Sequence, residues 1–182
     1  MKSLRSWIVG LYGMLLLGCN TTLQTVEEKQ YNFKVFADYH TIYLTNGNKN
    51  EAVFNPDKIT DTGIKNRFDI VSKRAVLLYT ARNIEVPLQV IVVKKQPQLN
   101  LDNWDHVNRC GIQISSNHFL ILGGTDGIKE AKSIALPNGY YGMLLGYQGL
   151  KTLSKDGLDG KDKYTIYLWP TQQYFQEQIL KQ

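Results

Sequence analysis

Trp104-Asp105-His106 sets a carboxylate beside an imidazole, the pairing that orients a histidine as a general base or a metal ligand. The residues that follow read as a strand, and neighbours on a strand point to opposite faces, so Asp105 and His106 cannot bond each other if both are extended. The reading adopted is a strand entry, with Trp104 packed over a sheet edge and Asp105 bonded to a turn. The other histidines, His40 and His118, do not share an H-x-H or H-E-x-x-H spacing with His106. A zinc site would need all three to converge from separate strands with Asp, Glu or Cys110, and nothing in the sequence asks for that.

Asp156, Asp159 and Asp162 lie in a glycine-bearing loop, Asp156-Gly157-Leu158-Asp159-Gly160-Lys161-Asp162, of the oxygen-rich kind that calcium prefers. Their spacing departs from D-x-D-x-D-G, and Lys161 sits among the would-be ligands. Asp and Gly are also ordinary turn residues, so the segment reads as a hairpin loop. No G-x-S-x-G and no P-loop occurs. Gly123-Gly124-Thr125-Asp126-Gly127 is glycine-rich without the strand–helix context of a phosphate site. Tyr140, Tyr141 and Tyr147 could offer rings for stacking, but on alternating strands half of them belong to the core. No cofactor is implied.

The elements that must hold these residues are strands. The chain has 182 residues, the size of one ordinary domain, and its 43% hydrophobic content is that of a globular protein. Eleven Tyr and frequent Val, Ile and Thr favour strands. The candidates are Tyr31–Phe36, Thr41–Thr45, Ala75–Thr80, Val86–Val93, Val107–Ser115, His118–Leu122, Lys132–Leu136, Tyr140–Tyr147 and Tyr164–Trp169. Alternation at Phe33/Val35, Ile42/Leu44, Ile112/Ile114 and Ile166/Leu168 predicts one face buried and one facing water. Breakers such as Asn46-Gly47, Ser115-Ser116-Asn117, Pro137-Asn138-Gly139 and Asp156-Gly157 fall where turns are needed. About nine short strands at this spacing predict an all-β fold, a single antiparallel β-sandwich. Asp57–Arg67 is read as a turn or two of helix and Thr171–Lys181 as a short C-terminal helix. Cys110, inside Val107–Ser115, is read as a core residue. Without Lys2 and Arg5, which belong to an N-terminal segment expected to be removed, the formal charge of +5 falls by two to +3, too mild for a nucleic-acid footprint.

Met1 to Cys19 has its own logic. Lys2 and Arg5 form a positive start, and Trp7 to Leu17 form an apolar run of about 11 residues. That is short of the roughly 20 needed to span a bilayer. The run ends in Leu16-Leu17-Gly18-Cys19, which resembles the lipobox of bacterial lipoproteins, whose cysteine is alkylated with diacylglycerol and becomes the new N-terminus. The resemblance implies lipidation at Cys19 and a membrane partner reached through acyl chains, each buried CH₂ contributing roughly 0.8 kcal/mol. Once Cys19 is lipidated, Cys110 has no partner for an intramolecular disulfide. Asn20 after the cysteine resembles the outer-membrane rather than the inner-membrane class, so the expected place is the envelope, facing periplasm or exterior. The expected organisation is a signal peptide at 1–18, a lipidated polar tether at 19–30, the sandwich at 31–170 and the tail at 171–182.

Four motifs carry a second resemblance: Val86-Pro87, Trp104-Asp105-His106-Val107, Pro137-Asn138-Gly139-Tyr140 and Tyr164-Thr165-Ile166-Tyr167-Leu168-Trp169-Pro170. With the opening Tyr31-Asn32-Phe33-Lys34-Val35 they resemble the competence protein J-like group of bacterial β-sandwich proteins, which includes a nuclease inhibitor. The resemblance spans most of residues 31–170 and brings no catalytic residues. It implies a non-catalytic envelope binding protein of inhibitor or immunity type, with a protein partner such as a toxin or nuclease. Two other classes remain open: a hydrolytic or metal-dependent enzyme built on Asp105, His106 and the 156–162 loop, and a structural lipoprotein of a larger envelope complex. Loops on a rigid sandwich commonly carry function, which points to 46–66, 123–130 and 154–163.

Overall fold

The computed structural model describes residues 26–47 and 56–182. Cys19 and the rest of the signal and lipobox segment lie outside the described residues, as does part of the 46–66 loop.

Eleven strands form two packed sheets among the described residues. They are β1 (Lys29–Phe36), β2 (Thr41–Thr45), β3 (Phe68–Ser72), β4 (Ala75–Tyr79), β5 (Glu85–Val92) and β6 (His106–Ile114), followed by β7 (His118–Gly123), β8 (Lys132–Ala135), β9 (Gly139–Gln148), β10 (Lys163–Thr171) and β11 (Gln178–Lys181). One sheet runs β1-β5-β10-β9-β6-β11 and the other β3-β4-β2-β7-β8. Pairing is antiparallel except between β5 and β10, which run parallel from Leu88/Tyr164 to Val92/Leu168. The expected all-β sandwich is therefore present, with that one parallel ladder added. The one α-helix among the described residues, α1 (Asp61–Asn66), is short.

Alternation works where one face meets the core. In β5, Val86, Leu88, Val90 and Val92 point inward while Glu85 and Pro87 are exposed. It fails in β2 and β4, where every residue is buried. Ile42, Leu44, Val76 and Leu78 fill the space between the sheets. Tyr43, Leu77 and Tyr79 lie in a second apolar cluster with Leu120 and Leu122, roofed by Ile59, Val71, Ile128 and Ala131. These strands thus read as continuous apolar runs because both faces are covered.

The expected C-terminal helix does not form. Gln178–Lys181 is strand β11, paired antiparallel with β6 through Gln178/Arg109 and Ile179/Asn108. The otherwise open edge of β6 supplies the hydrogen-bonding partner that decides the matter, and Leu180 and Phe175 pack on the cluster of Val107, Leu144 and Trp169. Phe68–Ser72 is also a strand that the apolar pattern does not announce. At the other end, β1 begins at Lys29 and Val26 is already buried, so ordered structure reaches into the segment read as tether. Cys110 is fully buried as expected, and burial pushes its thiol pKa far up.

Candidate functional site

The three members of Trp104-Asp105-His106 separate. The Trp104 ring lies over Gly146 and meets Tyr167 edge-on at 6.4 Å between ring centres. Asp105 Oδ2 accepts a hydrogen bond from the Leu150 amide at 2.9 Å, a turn contact. His106 turns inward and is buried, its Nε2 2.9 Å from the Asn66 carbonyl oxygen and 3.0 Å from Asn108 Oδ1. Burial lowers its pKa, opposed by the hydrogen bonds to Asn66 and Asn108 and aided by the charge of Arg67. His40 and His118 are exposed, and His118 Nδ1 lies 3.1 Å from Ser133 Oγ.

The three aspartates of the 156–162 loop also have separate tasks. Asp156 Oδ1 accepts from Ser154 Oγ and the Leu158 amide, bonds that hold its carboxyl below the usual pKa. The Asp159 carbonyl accepts from the Ser154 amide at 2.8 Å, and its own amide donates to Ser154 Oγ. Asp162 is buried, bonded to Arg82 Nε and, at 2.6 Å, to the hydroxyl of Tyr164. Among the described residues no cluster of His, Cys, Asp or Glu could hold a metal ion.

These internal bonds converge beneath one end of the sandwich. Thr60 caps α1, its hydroxyl accepting from the Gly63 amide at 2.8 Å, and Arg67 ends the helix in the left-handed region at φ 61°. The Asn66 carbonyl accepts from Asn108 Nδ2 at 2.8 Å as well as facing His106. The Arg67 carbonyl accepts from the Tyr147 hydroxyl at 2.5 Å and the Tyr79 amide at 3.0 Å. The Tyr164 hydroxyl, which donates to Asp162, accepts from the Ala81 amide at 2.7 Å. Buried polar groups joined in this way rigidify what they hold.

What they hold is the floor of an apolar pocket of about 540 Å³. Ile59 precedes α1 and Ile64 lies within it, Ala81, Asn83 and Leu153 come from other loops, and Arg67, the C-cap of α1, joins them in the lining. The mouth is formed by Tyr39 and His40, which precede β2. Both have positive φ, 53° and 58°. Non-glycine residues there cost on the order of 1–3 kcal/mol and persist only where neighbours enforce them. The enforcement is visible. Asp38 accepts from the Tyr39 amide at 3.0 Å and from Thr125 Oγ1 at 2.9 Å, and the His40 carbonyl accepts from the Thr80 amide at 2.8 Å. Four non-glycine residues among those described have positive φ, and three of them, Tyr39, His40 and Arg67, line this one pocket. The fourth, Asn117, is of a type that tolerates the conformation. The Asp/His pattern in the sequence pointed elsewhere. The pocket comes from residues far apart in the chain; of the loops singled out in the sequence, 46–66 supplies Ile59 and Ile64, while 154–163 supplies none of its lining.

No protein-family model matches the chain, and no curated protein matches it in sequence. Two solved structures share its fold. One is ComJ from Bacillus subtilis, inhibitor of the DNA degrading activity of NucA, at 15% identity and a TM-score of 0.59, covering 80% of this chain and 100% of that one. The other is the crocagin biosynthetic gene J product, at 16% identity and a TM-score of 0.54, covering 81% of this chain and 100% of the other. At these identities the likeness establishes the fold.

Proposed function

We propose that this chain is a non-catalytic binding protein of inhibitor type, held to the cell envelope by lipid on Cys19, that blocks a nuclease or toxin by docking the pocketed end of its sandwich onto it. The observation that carries the reading is the concentration of enforced backbone strain around one apolar pocket, on a fold shared with a nuclease inhibitor. Strain at a rigidly supported mouth is what a preformed contact surface requires, since it spares the ordering cost on binding. The buried side chains of His106 and Asp162 support the same end from inside, while Asp105 and Asp156 hold turns.

The mild positive charge also bears on how such an inhibitor works. A protein that blocks a nuclease by imitating DNA needs an anionic face. This one would instead block by burying apolar surface against the enzyme. The test is a titration of the purified chain against the nuclease activity of its host's envelope and secreted fractions, read as DNA degradation. A saturable fall in activity at stoichiometric chain supports the proposal, and activity indifferent to the chain overturns it. The anchor has its own check, incorporation of labelled palmitate that Cys19→Ala abolishes.

A further inference from the structure

None of the ten residues lining the pocket is acidic, and Arg67 brings a full positive charge to it. Arg67 is half-buried, and no carboxylate among the described residues forms an ion pair with it. The carboxylates close by in the fold are already engaged. Asp69 accepts from the Thr60 amide and hydroxyl and from the Tyr79 hydroxyl at 2.5 Å. Asp38 holds the mouth, and Asp162 is bonded to Arg82 and Tyr164. A guanidinium in an apolar setting without a counter-charge is a site waiting for one, because its planar fork pairs two-pronged with a carboxylate.

The apolar surface extends outside the pocket. Tyr39 is 62% exposed and Ile64 54% exposed at the rim. Leu158, 57% exposed, belongs to the same loop as Leu153, with its carbonyl accepting from Arg82 Nη1. A small ligand seated in the pocket would leave these side chains in water, whereas a protein surface would cover them. The loop Leu150 to Lys163 adds Lys151, Lys155, Lys161 and Lys163 against Asp156 and Asp159, its Asp162 being paired with Arg82. The charge around the opening therefore favours an acidic partner.

We infer that the pocket receives an apolar side chain from an acidic segment of a protein partner, with a carboxylate one or two residues away pairing with Arg67. This rests on the inhibitor reading only in taking the partner to be a protein, and it names what that partner presents.

The probe is a phage-displayed library of random linear peptides panned against the purified full chain. Enriched peptides should carry an aromatic or branched aliphatic residue with Asp or Glu within two positions, and should compete with one another. Arg67→Gln should weaken the selected peptides about tenfold or more, as loss of a charged hydrogen bond does, with Arg67→Lys retaining part of the affinity. Ile64→Asp should abolish binding, while Lys29→Gln, at the end of strand β1 opposite to Tyr39, should leave it unchanged. Thermal melts of each variant separate lost contacts from lost fold. An empty selection, peptides without acidic residues, or equal binding to Arg67→Gln overturns the inference. So does native mass spectrometry that finds a small apolar acid occupying the chain purified from its host. If nuclease activity proves indifferent to the chain but acidic–apolar peptides are selected through Arg67, the inhibitor reading falls and the pocket's specificity stands.

Discussion

His106 Nε2 lies 2.9 Å from the main-chain oxygen of Asn66, joining strand β6 to the end of helix α1 across forty residues. The contact makes the histidine that follows Asp105 in the sequence a donor to backbone, with Asn108 beside it at 3.0 Å. Its work is to fix the turn from which Arg67 enters the pocket.

That contact predicts a pH dependence. Burial favours the neutral ring, so the pKa of His106 is lower in the folded chain than the unfolded value of 6.5. Below 6.5 the unfolded chain binds the proton first. Stability is therefore full above that pH and falls as the pH drops towards the lower folded pKa. His106→Gln, whose amide can reach the Asn66 carbonyl, should flatten the loss between pH 6.5 and the carboxylate range. Chemical denaturation at a series of pH values checks this, and an unchanged slope in the variant would remove His106 as the cause.

The buried Arg82–Asp162 pair gives a second prediction. The Asp162 side chain is fully inaccessible and that of Arg82 10% exposed, so removing one partner strands a charge. Asp162→Ala should cost about 3–5 kcal/mol, and Arg82→Met with Asp162→Leu far less, because well-packed apolar residues can replace an ion pair. Urea melts of the single and double variants decide it. Equal losses would mean that the pair is intrinsically stabilising.

Much of this fold is legible in the residues, and the failures have physical causes. Val86, Leu88, Val90 and Val92 alternate with exposed neighbours because β5 has one covered face. Ala75 to Tyr79 does not alternate because both faces are covered, and its unbroken apolar run is the mark of an interior strand. Thr171–Lys181 has helix-forming residues, yet a vacant edge on β6 outweighs local preference for its last four residues. The site was less legible. Asp105 and His106 are adjacent in sequence and diverge in space, whereas Tyr39, Arg67 and Leu153 are brought together only by the two sheets closing on each other. Backbone strain at Tyr39 has no sequence signal, and the enrichment of histidine at positive φ is too weak to mark His40.

Two glycines of β9 are set by ring contacts. A Cβ at Gly142 would fall 2.3 Å from the Trp169 ring, and one at Gly146 would fall 2.4 Å from the Trp104 ring. Neither indole can retreat freely, since Trp169 packs on Phe175 and Trp104 on Tyr167. Gly142→Ala and Gly146→Ala should each cost about 1–3 kcal/mol by overpacking. A drop in melting temperature and a change in tryptophan fluorescence are expected together. A variant as stable as the parent would show that the rings have room to shift.

The strain at the pocket mouth can be tested by relieving it. His40 sits at φ 58°, a conformation that glycine adopts without penalty and that costs other residues roughly 1–2 kcal/mol. Its fixed contacts are main-chain ones, an amide donating to Asn83 Oδ1 and a carbonyl accepting from Thr80, and glycine keeps both. His40→Gly should therefore raise stability by up to about 1 kcal/mol, part of the gain being offset by the freer unfolded chain. His40→Val should lower it, because a β-branched side chain suits this region least. The same His40→Gly variant should bind a partner less tightly, since the preformed mouth loses both a side chain and its rigidity. Stability that falls in the glycine variant would show that the imidazole, not the backbone, holds the mouth in place, and the strain would lose its standing as the mark of the site.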